Sequence, residues 1–176
     1  KPSDFLSWQL MGVLVDEVPP DREGALVIAD KALENSIEIA EHRFLLTAMA
    51  VITASGSGQH DKVEKYLKSS KNLQELLVAV LEAHAAELTG KVEEARTKLQ
   101  GLSQAQLELS AREVRRFAAA VAERIGMLEF ALRLRRSLLP VAQFTKDTGL
   151  FLSCATKCGK DVDVLDECSR LRKQGV

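Results

Sequence analysis

The chain has little of what a β-structure is built from. Aromatic residues make up 5% of it, with one Trp and one Tyr, and there are only 4 prolines in 176 residues. Apolar residues still reach 46%, so the core must come from aliphatic side chains and alanine. A sandwich or barrel would draw on more Val, Thr, Tyr and turn residues, so the composition points to an all-α fold. No apolar run approaches the roughly 20 residues that cross a bilayer, which excludes a spanning helix. The 3 cysteines, Cys154, Cys158 and Cys168, are an odd number gathered in one corner. They make no disulfide framework, and a reducing cytoplasm is the expected setting. P-loop, G-x-G-x-x-G and G-x-S-x-G patterns are missing, and Gly56-Ser57-Gly58 lacks the downstream Lys-Ser/Thr of a phosphate cradle. The chain opens on Lys1-Pro2-Ser3 without an initiator Met or a basic-then-apolar leader, and reads as a segment of a longer protein.

What is present is helical periodicity, nearly unbroken. Phe5, Trp8 and Gly12 fall on one helical face at i, i+3 and i+7. Pro19-Pro20 then stops the helix, and Asp21 is placed to cap the next one. A long helix is expected from about Ile37 to Ala54, followed by a turn at 55–58. Asn72, Ser103 and Ser110 are candidate caps for later helices, while Gly126 and Pro140 punctuate the C-terminal half. The spacing predicts about ten helices joined by tight turns, and short connections force antiparallel neighbours.

The helix pairs repeat. Gly58, Gly90, Gly126 and Gly159 sit between paired helices at intervals of 32, 36 and 33 residues. Four places before each stands alanine: Ala54, Ala86, Ala122 and Ala155. Seven before stand Val51, Ala83, Ala119 and Leu152, and five after stand Val63, Ala95, Ala131 and Val164. Nine after stand Leu67, Leu99, Arg135 and Cys168. Helices that cross at close range need small side chains where their backbones approach, and glycine lets the chain reverse through positive φ.

A helix–turn–helix period near 34 with small residues at these offsets resembles the tetratricopeptide repeat. Trp8-Gln9-Leu10-Met11-Gly12 is similar to the family's W-x2-L-G opening, with Met11 for Leu and Val15 where Tyr belongs. The Trp occurs once, the aromatic positions are mostly aliphatic, and the terminal Pro is missing from most copies, so these are degenerate repeats. The resemblance covers the chain as a single repeat domain, residues 1–176, with helix pairs near 3–35, 36–70, 72–101, 103–139 and 141–174. It implies an all-α, right-handed α-solenoid of about five antiparallel helix hairpins.

The same resemblance implies function. Solenoids of this kind present the first helix of each pair along a concave face, where a peptide or a partner's helix lies. Mapped from the glycine anchors, that face takes Gln9 and Val13, then Met49 and Ile52, then Leu81, His84 and Glu87. It continues with Arg116, Phe117 and Ala120, then Lys146, Leu150 and Ser153. Such a lining runs from apolar to basic, and suits a protein or peptide ligand with apolar anchors and an acidic segment. The family's clamp for chaperone tails needs Lys and Asn where this chain has Ala48 and Ile52, or Val80 and His84, so that ligand is not implied.

No set of residues points to catalysis: His42, His60 and His84 lie in separate helices or turns, so neither an enzymatic activity nor a cofactor is expected. Cys154 and Cys158 share a helix face and Cys168 follows ten residues later, a weak candidate metal set without a local fourth ligand. Core packing explains them as well. Residues 1–90 carry 8 basic and 14 acidic side chains, and residues 91–176 carry 16 and 11. That asymmetry would let the chain homo-oligomerise, acidic half against basic half. Seven arginines fall within residues 112–136, but Glu113 and Glu129 stand within a helical turn of them and few aromatics interleave. A solvated face or protein contact is favoured there over nucleic acid.

Overall fold

Each reversal predicted from glycine is built the same way in the backbone. The structure, a computed structural model, describes residues 3–35, 39–139 and 145–160, with positions 165, 166, 169, 170 and 173. Among the described residues the positive-φ positions are the four anchors: Gly58 (φ 70°), Gly90 (77°), Gly126 (78°) and Gly159 (68°). In each turn the amide after the glycine donates to the carbonyl of the alanine four places before it. These bonds are Gln59 to Ala54 (2.9 Å), Lys91 to Ala86 (2.8 Å), Met127 to Ala122 (2.8 Å) and Lys160 to Ala155 (3.0 Å). The glycine amides donate to Ser55, Glu87, Glu123 and Thr156. This pair of bonds is a Schellman closure, which satisfies helix-end carbonyls and turns the chain.

The described residues form ten α-helices and no strand. They are α1 (Asp4–Asp16), α2 (Arg22–Leu33), α3 (Ala40–Gly56), α4 (His60–Ser69), α5 (Glu75–Leu88), α6 (Val92–Gln100), α7 (Gln104–Leu109), α8 (Arg112–Arg124), α9 (Leu128–Leu138) and α10 (Thr145–Lys157). They divide into two compact units, residues 1–102 with α1–α6 and residues 103–176 with α7–α10. No described helix is long and apolar enough to cross a membrane.

Helix starts agree with the sequence in places and depart from it in others. Asp21 caps α2, accepting from the Gly24 amide at 2.9 Å. Asn72 does not cap α5, which begins at Glu75 behind Gln74. Ser110 caps nothing ahead of it: its hydroxyl donates back to the Leu107 carbonyl at 2.6 Å and ends α7. The 36-residue interval from Gly90 to Gly126 is long because it holds α7, a short helix that the two-helix period leaves out.

In the first unit α1 packs on α2 and α3, α3 on α4 and α5, and α5 on α6. The repeated small positions are where these helices meet. Val51, Ala54, Ala83, Ala86, Ala95 and Leu99 are all buried. Tyr66, Leu26, Met11 and Leu46 share one buried cluster with Val51 and Ala54. Arg43 of α3 is 1% exposed, and its guanidinium is hydrogen-bonded at three points. Its Nε donates to Asp4 Oδ2 at 2.8 Å, Nη1 to the Leu33 carbonyl at 3.1 Å and Nη2 to the Asn35 carbonyl at 2.9 Å. One side chain therefore joins the start of α1, the end of α2 and the body of α3, and its charge opposes the negative end of the α2 dipole. Arg22 does the same for α3, donating to the Gly56 carbonyl at 2.7 Å.

Three substitutions test this reading. A side chain at Gly90 would meet nothing within 4 Å, so Gly90→Ala is strained by φ alone and lowers stability by about 1 kcal/mol. Gly101 has ordinary helical dihedrals, and Gly101→Ala leaves stability unchanged or raises it by about 0.5 kcal/mol. Urea denaturation of both variants separates the two effects. Asp4→Ala removes the carboxylate bonded to the buried Arg43 Nε, and lowers the unfolding free energy by about 3 kcal/mol in the same assay.

Candidate interaction surface

The residues expected on the concave face fall into two sets, one in each unit. In the first unit Gln9 and Val13 are exposed on α1, Met49 is half-buried and Ile52 exposed on α3. The placement of Leu81 and His84 on an open groove is corrected. Leu81 is fully buried, and His84 is 2% exposed with Nδ1 3.2 Å from Glu87 Oε2. The reason is that α5 packs against α3, α4 and α6, which leaves this part of its surface enclosed. Glu87 is half-buried beside His84.

In the second unit Phe117, Ala120 and Leu150 are half-buried and Ser153 is exposed. Lys146 lies in α10, but its side chain is outside the described residues. Arg116 was expected to offer a basic charge to a ligand. Instead it makes a fork onto Asp147, Nε to Oδ1 and Nη2 to Oδ2, both at 2.7 Å. Its third nitrogen donates to Glu113 at 2.8 Å. Arg112 adds two bonds to the same Asp147 oxygen, the one from Nε at 3.1 Å. Arg115 donates to the Ser137 carbonyl at 2.7 Å, and Arg135 pairs with Glu123 at 2.9 Å. Arg136 lies over the Phe151 ring at 5.8 Å. The arginine cluster is thus largely a set of internal ties between α8, α9 and α10.

Asp147 is fully buried, and burial alone would push its carboxyl up. The hydrogen bonds and charges of Arg116 and Arg112 outweigh that and hold it below the ordinary carboxylate value. Cys154 is buried, its Sγ 3.8 Å from the Leu128 carbonyl, and burial together with the Glu123 charge pushes its thiol up to about 12. It is therefore a neutral packing thiol at physiological pH rather than a thiolate. Cys158 is half-buried, and Cys168 lies outside the described residues. Among the described residues no group of three or more His, Cys, Asp or Glu is placed to hold a metal ion.

Two open features stand out among the described residues of the first unit. A cleft of about 350 Å³ lies between α4, α5 and α6, with Val63, Leu67, Ala85 and Ala86 in its lining. Its rim charges answer one another: Lys98 holds Glu82 at 2.7 Å, and Lys91 approaches Glu94 at 3.9 Å. The second is the outer face of α1. Leu6 (46%), Leu10 (42%) and Val13 (61%) are exposed along it, and Phe5 stacks between Trp8 (5.5 Å) and His42 (5.0 Å) at its edge. Leu6 and Leu10 escaped the sequence mapping, which took one residue per turn from the repeat register. The signal was there, because residues 5–15 carry apolar residues on every side of the helix. Asp4, Arg43 and Asp147 also escaped it, since each meets its partner 31 or more residues away.

Comparison with family models, with curated proteins and with solved structures gives no match to this chain.

The ties to Asp147 predict an acid response. A carboxyl whose folded value is depressed stabilises the fold above its unfolded value of about 3.8, and that contribution is lost as pH falls through the folded value. Asp147→Asn should lower stability by about 3 kcal/mol at pH 7 and flatten the loss of stability below about pH 4. Urea midpoints measured across the acid range read both effects.

Proposed function

We propose that this chain is a non-catalytic protein-interaction module of the cytoplasm. It is an array of tetratricopeptide-like hairpins wound as a right-handed solenoid, and it holds a peptide or a partner's helix against the first helices of its hairpins. The observation that carries this reading is the apolar face of α1, with Leu6, Leu10 and Val13 each more than two-fifths exposed. A helix that is apolar on all sides is ordinarily enclosed. Leaving such a stripe in water forgoes about 25 cal/mol for each Å² that a partner could cover. Ile52 is also exposed, on α3, which packs against α1. The four glycine closures and the buried small positions support the repeat reading, and a rigid scaffold of this kind presents a surface at little entropic cost.

Selection from a phage-displayed library of helical peptides tests the reading. The expected binders lose at least about tenfold in affinity when Leu10→Glu or Val13→Glu is introduced, about 1.4 kcal/mol. They should be indifferent to Leu109→Ser, which alters a residue 88% exposed on α7. Failure to select binders, or binders unaffected by both glutamates, would count against it. All three positions are exposed, so circular dichroism should show unchanged helix content.

A further inference from the structure

We infer that the partner of the α1 face is an amphipathic helix whose apolar stripe ends in basic residues. This rests on the interaction reading above and adds the chemistry of the ligand. Leu6, Leu10, Val13 and Glu17 recur at i, i+4, i+7 and i+11, which puts them in one line along the helix. Three exposed apolar residues therefore lead into an exposed carboxylate, with Asp16 exposed beside it. Among the described residues no ion pair holds either one.

The end of α1 is negative in a further way. Helix C-termini carry the negative end of the dipole, and most helices of the first unit neutralise it. Basic residues stand in the last turns of α2 (Lys31), α4 (Lys68) and α6 (Lys98). The end of α3 receives Arg22. The last turn of α1 has no basic residue at all. Two exposed carboxylates thus lie where the apolar stripe stops, at a helix end whose last turn holds no basic residue. Val18, the next residue along the chain, is 98% exposed. A partner helix with leucine-like side chains at matching intervals, and Lys or Arg about one turn past the last of them, would cover the stripe and meet the charge. An acidic helix would bring like charges together, and an anionic membrane would be repelled for the same reason.

The test uses two helical peptides of about twenty residues with identical leucines at i, i+4 and i+7, one ending its stripe in lysines and the other in glutamates. The lysine peptide should bind the chain about tenfold more tightly at low salt, a preference that two exposed ion pairs can supply and that added salt reduces. Asp16→Lys with Glu17→Lys should invert the preference without changing helix content. Equal binding of both peptides, lost in each case with Leu10→Glu, would overturn the charge assignment and leave the interaction reading intact. Binding of neither peptide would overturn it together with that reading. Two other occupants have their own signatures. Sedimentation showing a dimer dispersed by Val13→Glu would assign the face to a second copy, and Val13→Glu-sensitive binding to phosphatidylserine vesicles would assign it to lipid. Either result would overturn the proposal.

Discussion

The fold rests on a backbone bond. Wherever two paired helices join through a glycine, the amide after that glycine reaches back to the carbonyl of an alanine five residues earlier. The closure fixes how sharply the chain turns, and a sharp turn brings the second helix close against the first. Close approach in turn requires small residues on both sides. Ala86 and Ala95 meet this need in the α5–α6 pair, as Ala122 and Ala131 do in α8–α9, and all four are buried. The choice of alanine is thus a consequence of the turn, and the larger side chains such as Tyr66 and Phe130 occupy what space remains.

Hairpins made in this way still have to be joined to one another, and charge takes part in both units. In the first, the buried Arg43 collects Asp4 together with two carbonyls near the end of α2. In the second, Asp147 and Glu123 collect the arginines: Asp147 receives Arg112 and Arg116 of α8, and Glu123 receives Arg135 of α9. Such ties are strong because each charge is hydrogen-bonded at several points and little water competes for it. They also change what the composition means. An arginine-rich segment that could be read as a surface for phosphates serves mainly to attach α8 to its neighbours.

Much of the architecture could be read from the sequence, because it is local. A glycine that must take positive φ and an alanine four places before it are determined within one turn, so the periods at Gly58, Gly90, Gly126 and Gly159 mark real reversals. The Asp21 cap is local for the same reason. Asn72 and Ser110 failed as caps because a residue with capping chemistry caps only where the neighbouring packing starts a helix. The candidate surface was less legible. Gln9, Val13 and Ile52 lie open on their helices, while Leu81 and His84 are closed off by neighbours that no local pattern places. Arg116 was misread because its partner, Asp147, stands 31 residues further along the chain.

The space around Gly90 has a stereochemical consequence. An L-side chain there would touch nothing, so the position is closed by handedness and not by size. Its backbone belongs to the region that mirror-image residues prefer, and D-alanine would fill the same open space with no conformational penalty. At such a turn, glycine is the nearest substitute that ribosomal chemistry has for a residue of the opposite hand.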